Sequence, residues 1–401
     1  MIQADRGVAV TTARPGAEPP DVLTDDASIE AFVPEWRAFS AKAARSPFES
    51  PDWLLPWYRH YGHRARPRVL VWRAGGEVVG VAPLVVTRSR RGTTLTELAL
   101  WAGFGPALRG LVDVVATDEH RAGVEASFAA WLATGPQRWD LLNLLRLPAG
   151  STTPATITDA GETGGWRSVD LSGSVRSETW VIELPADLDG WARHLGAKAR
   201  HNMRTEARRL ERAGGTWEQS TDPALVEDVV AALRRLMAER WGAAEVDFAP
   251  DPAFEPFLID AFRAMLAAGA MWFDLARDAS GAIRACLVTF ALNGRAVAVL
   301  MGVSYAEDVR KMSLGKQLFD RSASEAIRRG CGTYDFLWVG GYKESFWHAS
   351  PRYLHSVVIG RGMRGLSAAG YVALRRVIVP RLLGRVRRRT AGDDATNGAH
   401  E

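Results

Sequence analysis

Cysteine is scarce in this 401-residue chain: Cys286 and Cys331 are the only two, which excludes a disulfide framework. Both fall in or beside apolar stretches, so buried reduced thiols are expected rather than a redox centre. Metal-ligand spacing is missing too. His60 and His63 have neither i,i+4 spacing nor an H-E-x-x-H pattern, and no metal is expected. No G-x-S-x-G elbow is present, which removes the common serine-hydrolase arrangement. No run approaches the length of a membrane span, and no charged, apolar and cleavage-site succession opens the chain. These absences point to a cytoplasmic protein. The net charge of +4 is too small for a global field that would gather nucleic acid.

What is present is an ordinary globular balance, 47% hydrophobic and 24% charged, at a length that predicts two domains plus tails. Residues 1–20 read as a loose tail of Ala, Gly, Pro and Thr. The 15 tryptophans are expected in the core, with some available to line an apolar groove. Basic charge collects at the end, from Arg375 and Arg376 to Arg387, Arg388 and Arg389. The stretch from Tyr371 to Arg389 reads as a helix ending in a basic tail, 376–401. Peripheral contact with an anionic membrane is its alternative use.

Two segments share one plan. In the first, Val69–Trp72 and Val78–Val86 form strands around Gly75-Gly76, followed by a helix near Val124–Leu132 and the strand Trp139–Leu144. In the second, Met271–Leu275 and Ile283–Phe290 flank Gly281, then come the strand Val297–Val303, the helix Leu314–Arg329 and the strand Tyr334–Leu337. Both end in aromatic-Asp-apolar-apolar, so a duplicated α/β unit is inferred, 21–172 and 173–375, divided near Ser172-Gly173-Ser174. Leu188–Ala213, Pro223–Trp241 and Ala253–Ala267 read as helices. Ser50 and Pro51 open an earlier one.

Three motifs carry chemistry. Ser313-Leu314-Gly315-Lys316 opens the helix after the third strand, where free N–H groups and the helix dipole suit a phosphate. An ordinary capped surface helix has the same pattern. It is not a P-loop, because Arg310 and Gln317 replace the required Gly and Ser/Thr. The loop Val339–Trp347 follows a strand end, where open α/β sheets gather ligands. It offers Tyr342 as a proton donor and Lys343 as an anion contact. Arg200, Arg204, Arg208 and Arg212 step by four along one helix face, with Lys198 beside them. They suit a substrate phosphate, a carboxylate or a tRNA backbone, or form a solvated basic face. Gly360-x-Gly362-x-x-Gly365 matches a dinucleotide fingerprint but lacks the following strand and acidic residue, so a turn with flexible glycines is expected.

Together, Leu195–Arg204, Glu239-Arg240-Trp241, Met312–Leu318, Tyr334–Leu337 with Tyr342-Lys343 and Trp347, and Phe48–Leu54 resemble the GNAT acyltransferase superfamily. The resemblance is to its double-GNAT, CelD-like group, which is related to Fem-type aminoacyltransferases. It implies an α/β protein of two tandem GNAT-like units, each a mixed twisted sheet flanked by helices, with the active cleft in the second. It implies an acyl-CoA donor, usually acetyl-CoA, running past Met301 and Val303 with its pyrophosphate on Ser313, Leu314, Gly315 and Lys316. The implied reaction is N-acyl transfer to the amine of an amino sugar, amino acid or peptide-like acceptor, in polysaccharide or envelope synthesis. Asp335 would orient the polar centre it forms with Tyr342 and Lys343. Lys198, Arg200, Arg204, Trp241 and Trp347 would bind the acceptor. An aminoacyl-tRNA donor, as in Fem-type proteins, and a non-catalytic envelope scaffold are the alternatives. The sequence departs from the pattern in keeping only Gly315 of a Gly-x-Gly loop, and in reading Trp338-Val339-Gly340-Gly341 where relatives carry Arg-Gly-acidic.

Overall fold

A computed structural model describes residues 18–91, 93–101, 111–172, 178–241, 251–337 and 342–374. The chain opens with strand β1 (Asp21–Leu23), helices α1 (Asp26–Ala43) and α2 (Pro51–Tyr61), and strands β2 (Ala65–Ala74), β3 (Glu77–Arg91), β4 (Thr93–Leu100) and β5 (Val115–Ala116). Helix α3 (Arg121–Thr134), strand β6 (Leu141–Leu147), helix α4 (Thr153–Gly164) and strand β7 (Trp166–Asp170) follow. Strand β8 (Glu178–Glu183) then leads to helices α5 (Leu188–Leu195) and α6 (Ala197–Arg212). Next come β9 (Thr216–Ser220), α7 (Val226–Trp241), α8 (Phe254–Ala267), β10 (Met271–Arg277), β11 (Ile283–Leu292) and β12 (Arg295–Val303). The described part ends with α9 (Leu314–Arg328), β13 (Thr333–Asp335), α10 (Tyr342–Trp347), β14 (Ser350–Tyr353), β15 (His355–Arg361) and α11 (Gly362–Ala373).

The expected two α/β units are both present, and the repeat runs further than the hairpins that revealed it. The succession β1-α1-α2-β2-β3-β4-α3-β6-α4-β7 recurs as β9-α7-α8-β10-β11-β12-α9-β13-α10-β14. Each unit then sends one strand away. The first sheet has the order β1-β2-β3-β4-β6-β15-β7, with β5 on β3, and the second has β14-β8-β13-β12-β11-β10-β9. Strand β8 follows the first unit but sits between β13 and β14, while β15 follows the second unit but sits between β6 and β7. The exchange is reciprocal, so neither sheet is complete without the other unit's chain. A second unit taken as 173–375 does not close on itself, because β15 and α11 pack on the first sheet.

Local chemistry accounts for the boundaries. Asp25 caps α1 by accepting the Ser28 N–H at 2.9 Å, and Ser50 caps α2 by accepting the Asp52 N–H at 3.2 Å. The predicted single helix Leu188–Ala213 is broken at Gly196, whose φ of 73° is left-handed, so α5 and α6 are separate rods. The Gly360–Gly365 motif is a packing device rather than a loose turn. A Cβ on Gly365 would enter the Asp140 carbonyl, and one on Gly360 would enter the Gly365 backbone.

The core is continuous between the units. Trp53 of α2 packs on Phe257 of α8, ring centres 4.9 Å apart, and on Phe290 of β11 at 5.3 Å. His60 and Asp260 join the same helices at 2.7 Å. The tryptophans serve mainly as core: Trp36, Trp53, Trp57, Trp72, Trp101, Trp166, Trp272 and Trp347 are fully buried. Both cysteines are free and buried, and burial pushes the Cys286 thiol up to about 12. Among the described residues no helix is long and apolar enough to cross a membrane. The basic run 375–389 lies outside them.

Candidate active site

Strands β12 and β13 are parallel neighbours for three pairs only, Arg295–Thr333, Ala296–Tyr334 and Val297–Asp335. Beyond Val297, β12 continues to Val303 with a bulge opposite Val288 and Thr289, which turns the strand. Strand β13 swings the other way, onto β8. The Phe336 N–H donates to the Trp180 carbonyl at 2.8 Å and the Trp180 N–H to the Leu337 carbonyl at 3.2 Å. The sheet therefore opens as a fork with Val297 and Asp335 at its apex.

The first turn of α9 stands over the free arm of β12. Ser313 occupies the N-cap in a left-handed conformation, φ 49° and ψ 44°, and its side chain makes no capping bond. Its carbonyl accepts the Lys316 N–H at 2.9 Å and the Gln317 N–H at 3.2 Å. A left-handed residue after a right-handed turn gathers successive N–H groups into an anion-binding concavity. Among the described residues, the N–H groups of Ser313, Leu314 and Gly315 have no hydrogen-bond partner. They lie at the positive end of the helix dipole. Gly315 lets α9 sit this close: a Cβ there would lie 3.3 Å from Val303 Cγ2 and 3.5 Å from Met301 Sδ. The glycine thus serves helix–strand approach. Lys316 is engaged elsewhere, with Nζ 2.8 Å from Glu206 of α6 and 5.0 Å from the centre of the Phe346 ring.

On the face of the second sheet away from α9, a cavity of about 210 Å³ lies between the two units. Val297 and Asp335, the apex pair, both line it, with Thr179 and Arg352 from β8 and β14 and Arg45 and Ser46 from the first unit. Burial pushes the Asp335 carboxyl up to about 6, against the opposing pull of the Leu337 N–H, the Thr179 hydroxyl and Arg352. The Leu337 N–H donates to Asp335 Oδ1 at 2.7 Å. Arg45 is paired with Asp118 at 3.0 Å and Arg352 with Glu183 at 2.6 Å. Arg295 Nη1 donates to the Arg45 carbonyl at 2.7 Å, tying β12 to the first unit.

The remaining predicted residues do not converge on this cavity. Arg200 and Arg204 line a separate cavity between α5, α6 and α9, and Lys198 is exposed at the start of α6. Trp347 has no exposed surface for a substrate: it stacks on Trp191 with ring centres 5.9 Å apart and meets Phe319, Phe336 and Phe346. Tyr342 and Lys343 are the first two residues of α10, and Trp241 is the last of α7. The side chains of these three, and the loop 338–341, lie outside the described residues. Sequence reasoning missed Arg45, Thr179, Arg295 and Arg352. No spacing signal connects them, because they meet only through the contact between units and the exchanged β8.

Residues 197–344 match the family model described as an acetyltransferase (GNAT) domain, so the second unit carries a GNAT-type acyltransferase domain. No curated protein sequence matches the chain. Among solved structures, FemX is 12% identical with a TM-score of 0.59, over 83% of this chain and 97% of its own. A conserved protein of unknown function from Bacteroides thetaiotaomicron VPI-5482 is 12% identical with a TM-score of 0.51, over 85% of this chain and 100% of its own. L-PGS from Bacillus licheniformis is 14% identical with a TM-score of 0.49, over 90% of this chain and 98% of its own. At these identities the likeness to FemX and to the Bacteroides protein concerns the fold alone, and it spans both units.

Proposed function

We propose that the chain is an acyl-CoA-dependent N-acyltransferase, with its donor in the β12/β13 fork and its acceptor amine in the cavity between the units. The observation that carries this reading is the free N–H cradle of Ser313, Leu314 and Gly315 over the open arm of β12. It supplies a pyrophosphate contact without any side-chain cation. The thioester end of the donor would then reach the apex at Val297 and Asp335. There the amine nitrogen attacks the thioester carbon, the C–N bond forms and the C–S bond breaks. Asp335 takes the amine proton, its raised pKa making it a stronger base than an exposed carboxylate. Tyr342 is the proposed acid for the departing thiolate. No enzyme nucleophile is needed, and positioning supplies much of the acceleration.

The acceptor class is an amino sugar, amino acid or peptide-like amine. Arg45, Arg295 and Arg352 around the cavity favour one that also carries an acidic or hydroxyl group. The CelD-like resemblance adds a role in polysaccharide or envelope synthesis to the proposal, in the cytoplasm or at a membrane surface. Calorimetry with acetyl-CoA and CoA on the full chain tests the donor. Saturable binding is expected, weakened at least tenfold by Gly315→Val, which pushes the α9 turn off Val303 and breaks hydrogen bonds to charged oxygens worth about 1.5–3 kcal/mol each. No heat with either ligand would remove the CoA assignment. The second reading is an aminoacyl-tRNA donor, favoured by the exposed Arg204, Arg208 and Arg212 of α6. Steeply salt-dependent binding of charged tRNA, with indifference to CoA, would select it.

A further inference from the structure

The cavity between α5, α6 and α9 holds about 400 Å³ and lies on the face of the second sheet opposite Asp335. The walls carry four guanidinium groups, Arg200, Arg204, Arg321 and Arg328, against one carboxylate, Asp320. Arg321 is the informative one. It stands over the Trp217 ring at 4.9 Å, and among the described residues it makes no hydrogen bond or ion pair. Of the three carboxylates near it, the exposed Glu211 faces solvent and the other two are already held. Asp320 accepts the Trp191 indole N–H at 2.9 Å, while Asp274 accepts from Gln219 at 2.7 Å and from Trp272 at 3.0 Å. Burial lowers the Arg321 pKa and raises that of Asp320, so the positive group lacks a full counter-charge where water is scarce. Arg204 likewise has no ion-pair partner among the described residues. Arg328 shares Glu325 at 3.2 Å.

A guanidinium that lies over an indole, lines a cavity and has no hydrogen-bond partner among the described residues suits recognition of a phosphate or carboxylate. The volume falls within the range of small-molecule sites, and the Trp191 and Met203 side chains give it an apolar wall. We propose that this cavity is a second ligand site, separate from the donor fork, for a small phosphate monoester carrying an apolar ring or chain. The phosphate meets Arg321 and Arg204, and the apolar body lies against Trp191. A polynucleotide fits the geometry less well, because the groups converge into a concavity on α9 rather than following an exposed track. This site does not depend on the acyltransfer reading.

Calorimetry on the full-length protein with phenyl phosphate tests it, with inorganic phosphate, CoA and tRNA as comparison ligands. Phenyl phosphate should bind saturably and more tightly than inorganic phosphate. Arg321→Gln and the exposed Arg204→Gln should each weaken it at least tenfold. Arg208→Gln, on the same helix but outside the cavity, should leave it unchanged. The proposal is overturned if phenyl phosphate shows no saturable binding at millimolar concentration, or if Arg208→Gln weakens it equally. It is also overturned if CoA displaces phenyl phosphate, which would make the cavity part of the donor site. If tRNA binds and phenyl phosphate does not, with Arg204→Gln and Arg208→Gln weakening tRNA alike, a polynucleotide surface replaces the pocket. Donor binding that survives any of these results leaves the acyltransferase reading untouched.

Discussion

Ending the chain at Leu354 should unfold the unit from which the deleted residues are most distant in sequence. The deletion removes β15, whose Val357, Val358 and Ile359 are buried at 7%, 1% and 0% exposure between β6 and β7. Burying a Val or Ile side chain stabilises by about 1.5–3 kcal/mol, so these three contribute roughly 5–9 kcal/mol. Their loss also strips the ladder from both neighbours, from Val357 opposite Leu144 to Ile359 opposite Ser168. That sum approaches the whole stability of an ordinary domain, about 5–15 kcal/mol. The reporters are already in place: Trp139 and Trp166 lie 5.7 Å apart beside the β15 slot, and Arg361 stands over Trp139 at 5.5 Å. Urea titration followed by tryptophan fluorescence should show the first-unit transition shifted to low denaturant or absent. An unchanged first-unit transition, with loss confined to a second-unit signal, would refute the reciprocal exchange.

Three further outcomes follow from named contacts. Asp335→Asn should lower kcat by about 10²–10⁴ with little change in donor affinity, as expected for loss of a general base. In the unaltered protein kcat should fall about tenfold per pH unit below about 6, as the carboxylate takes up a proton, and a profile of thiol release against pH reads both effects. A variant within threefold of the parent would remove Asp335 from the chemistry. Gly365→Ala should destabilise by at least about 1–3 kcal/mol through overpacking against the Asp140 carbonyl. A thermal midpoint within a degree of the parent would show that α11 can shift away.

How much was legible depended on where each residue's constraint lies. The hairpin of β10 and β11 was readable because Val, Leu and Phe runs bracket a glycine turn, and burial on both faces demands such runs. Strands β9 and β14, Thr216–Ser220 and Ser350–Tyr353, carry no such signal: one lies at each edge of the second sheet, β14 is exposed throughout, and β9 has no fully buried residue. The helix entry at Ser313 was found from its turn chemistry, but the role of Gly315 was not, because contact with Met301 and Val303 depends on how α9 crosses β12. The family resemblance placed Trp347 at the acceptor, yet it stacks on Trp191, 156 residues away in sequence. The partners of Asp335 were invisible for the same reason. Thr179 reaches it only through the exchanged strand, and Arg45 shares its cavity only through the unit contact, neither of which leaves a local pattern.

The two units differ physically at the helix entry, which bears on why the donor site is proposed in only one of them. The first unit has its own fork: β4 and β6 pair only from Glu97–Leu141 to Ala99–Asn143, after which β6 continues along β15. Yet α3, the counterpart of α9, has a different entry. Its first residue, Arg121, is buried and turns its guanidinium back onto the Ala116 carbonyl at 2.7 Å, with Glu125 at 3.9 Å. The Arg121 side chain is thus spent on the protein's own backbone and on a buried carboxylate, and the N-cap His120 is right-handed, φ −100° and ψ −5°, so the left-handed concavity formed at Ser313 is not formed here. At Glu97 the first fork is also crossed by the Asn143 side chain, whose amide donates to the carboxylate at 3.1 Å. The second unit keeps its N–H groups open at Ser313–Gly315 and its apex carboxylate facing a cavity. The first unit instead contributes Arg45 and Ser46 to the wall of that cavity and a slot for β15. Two copies of the same fold thus differ in what occupies the first turn of one helix, which is why the proposed donor site lies in the second unit.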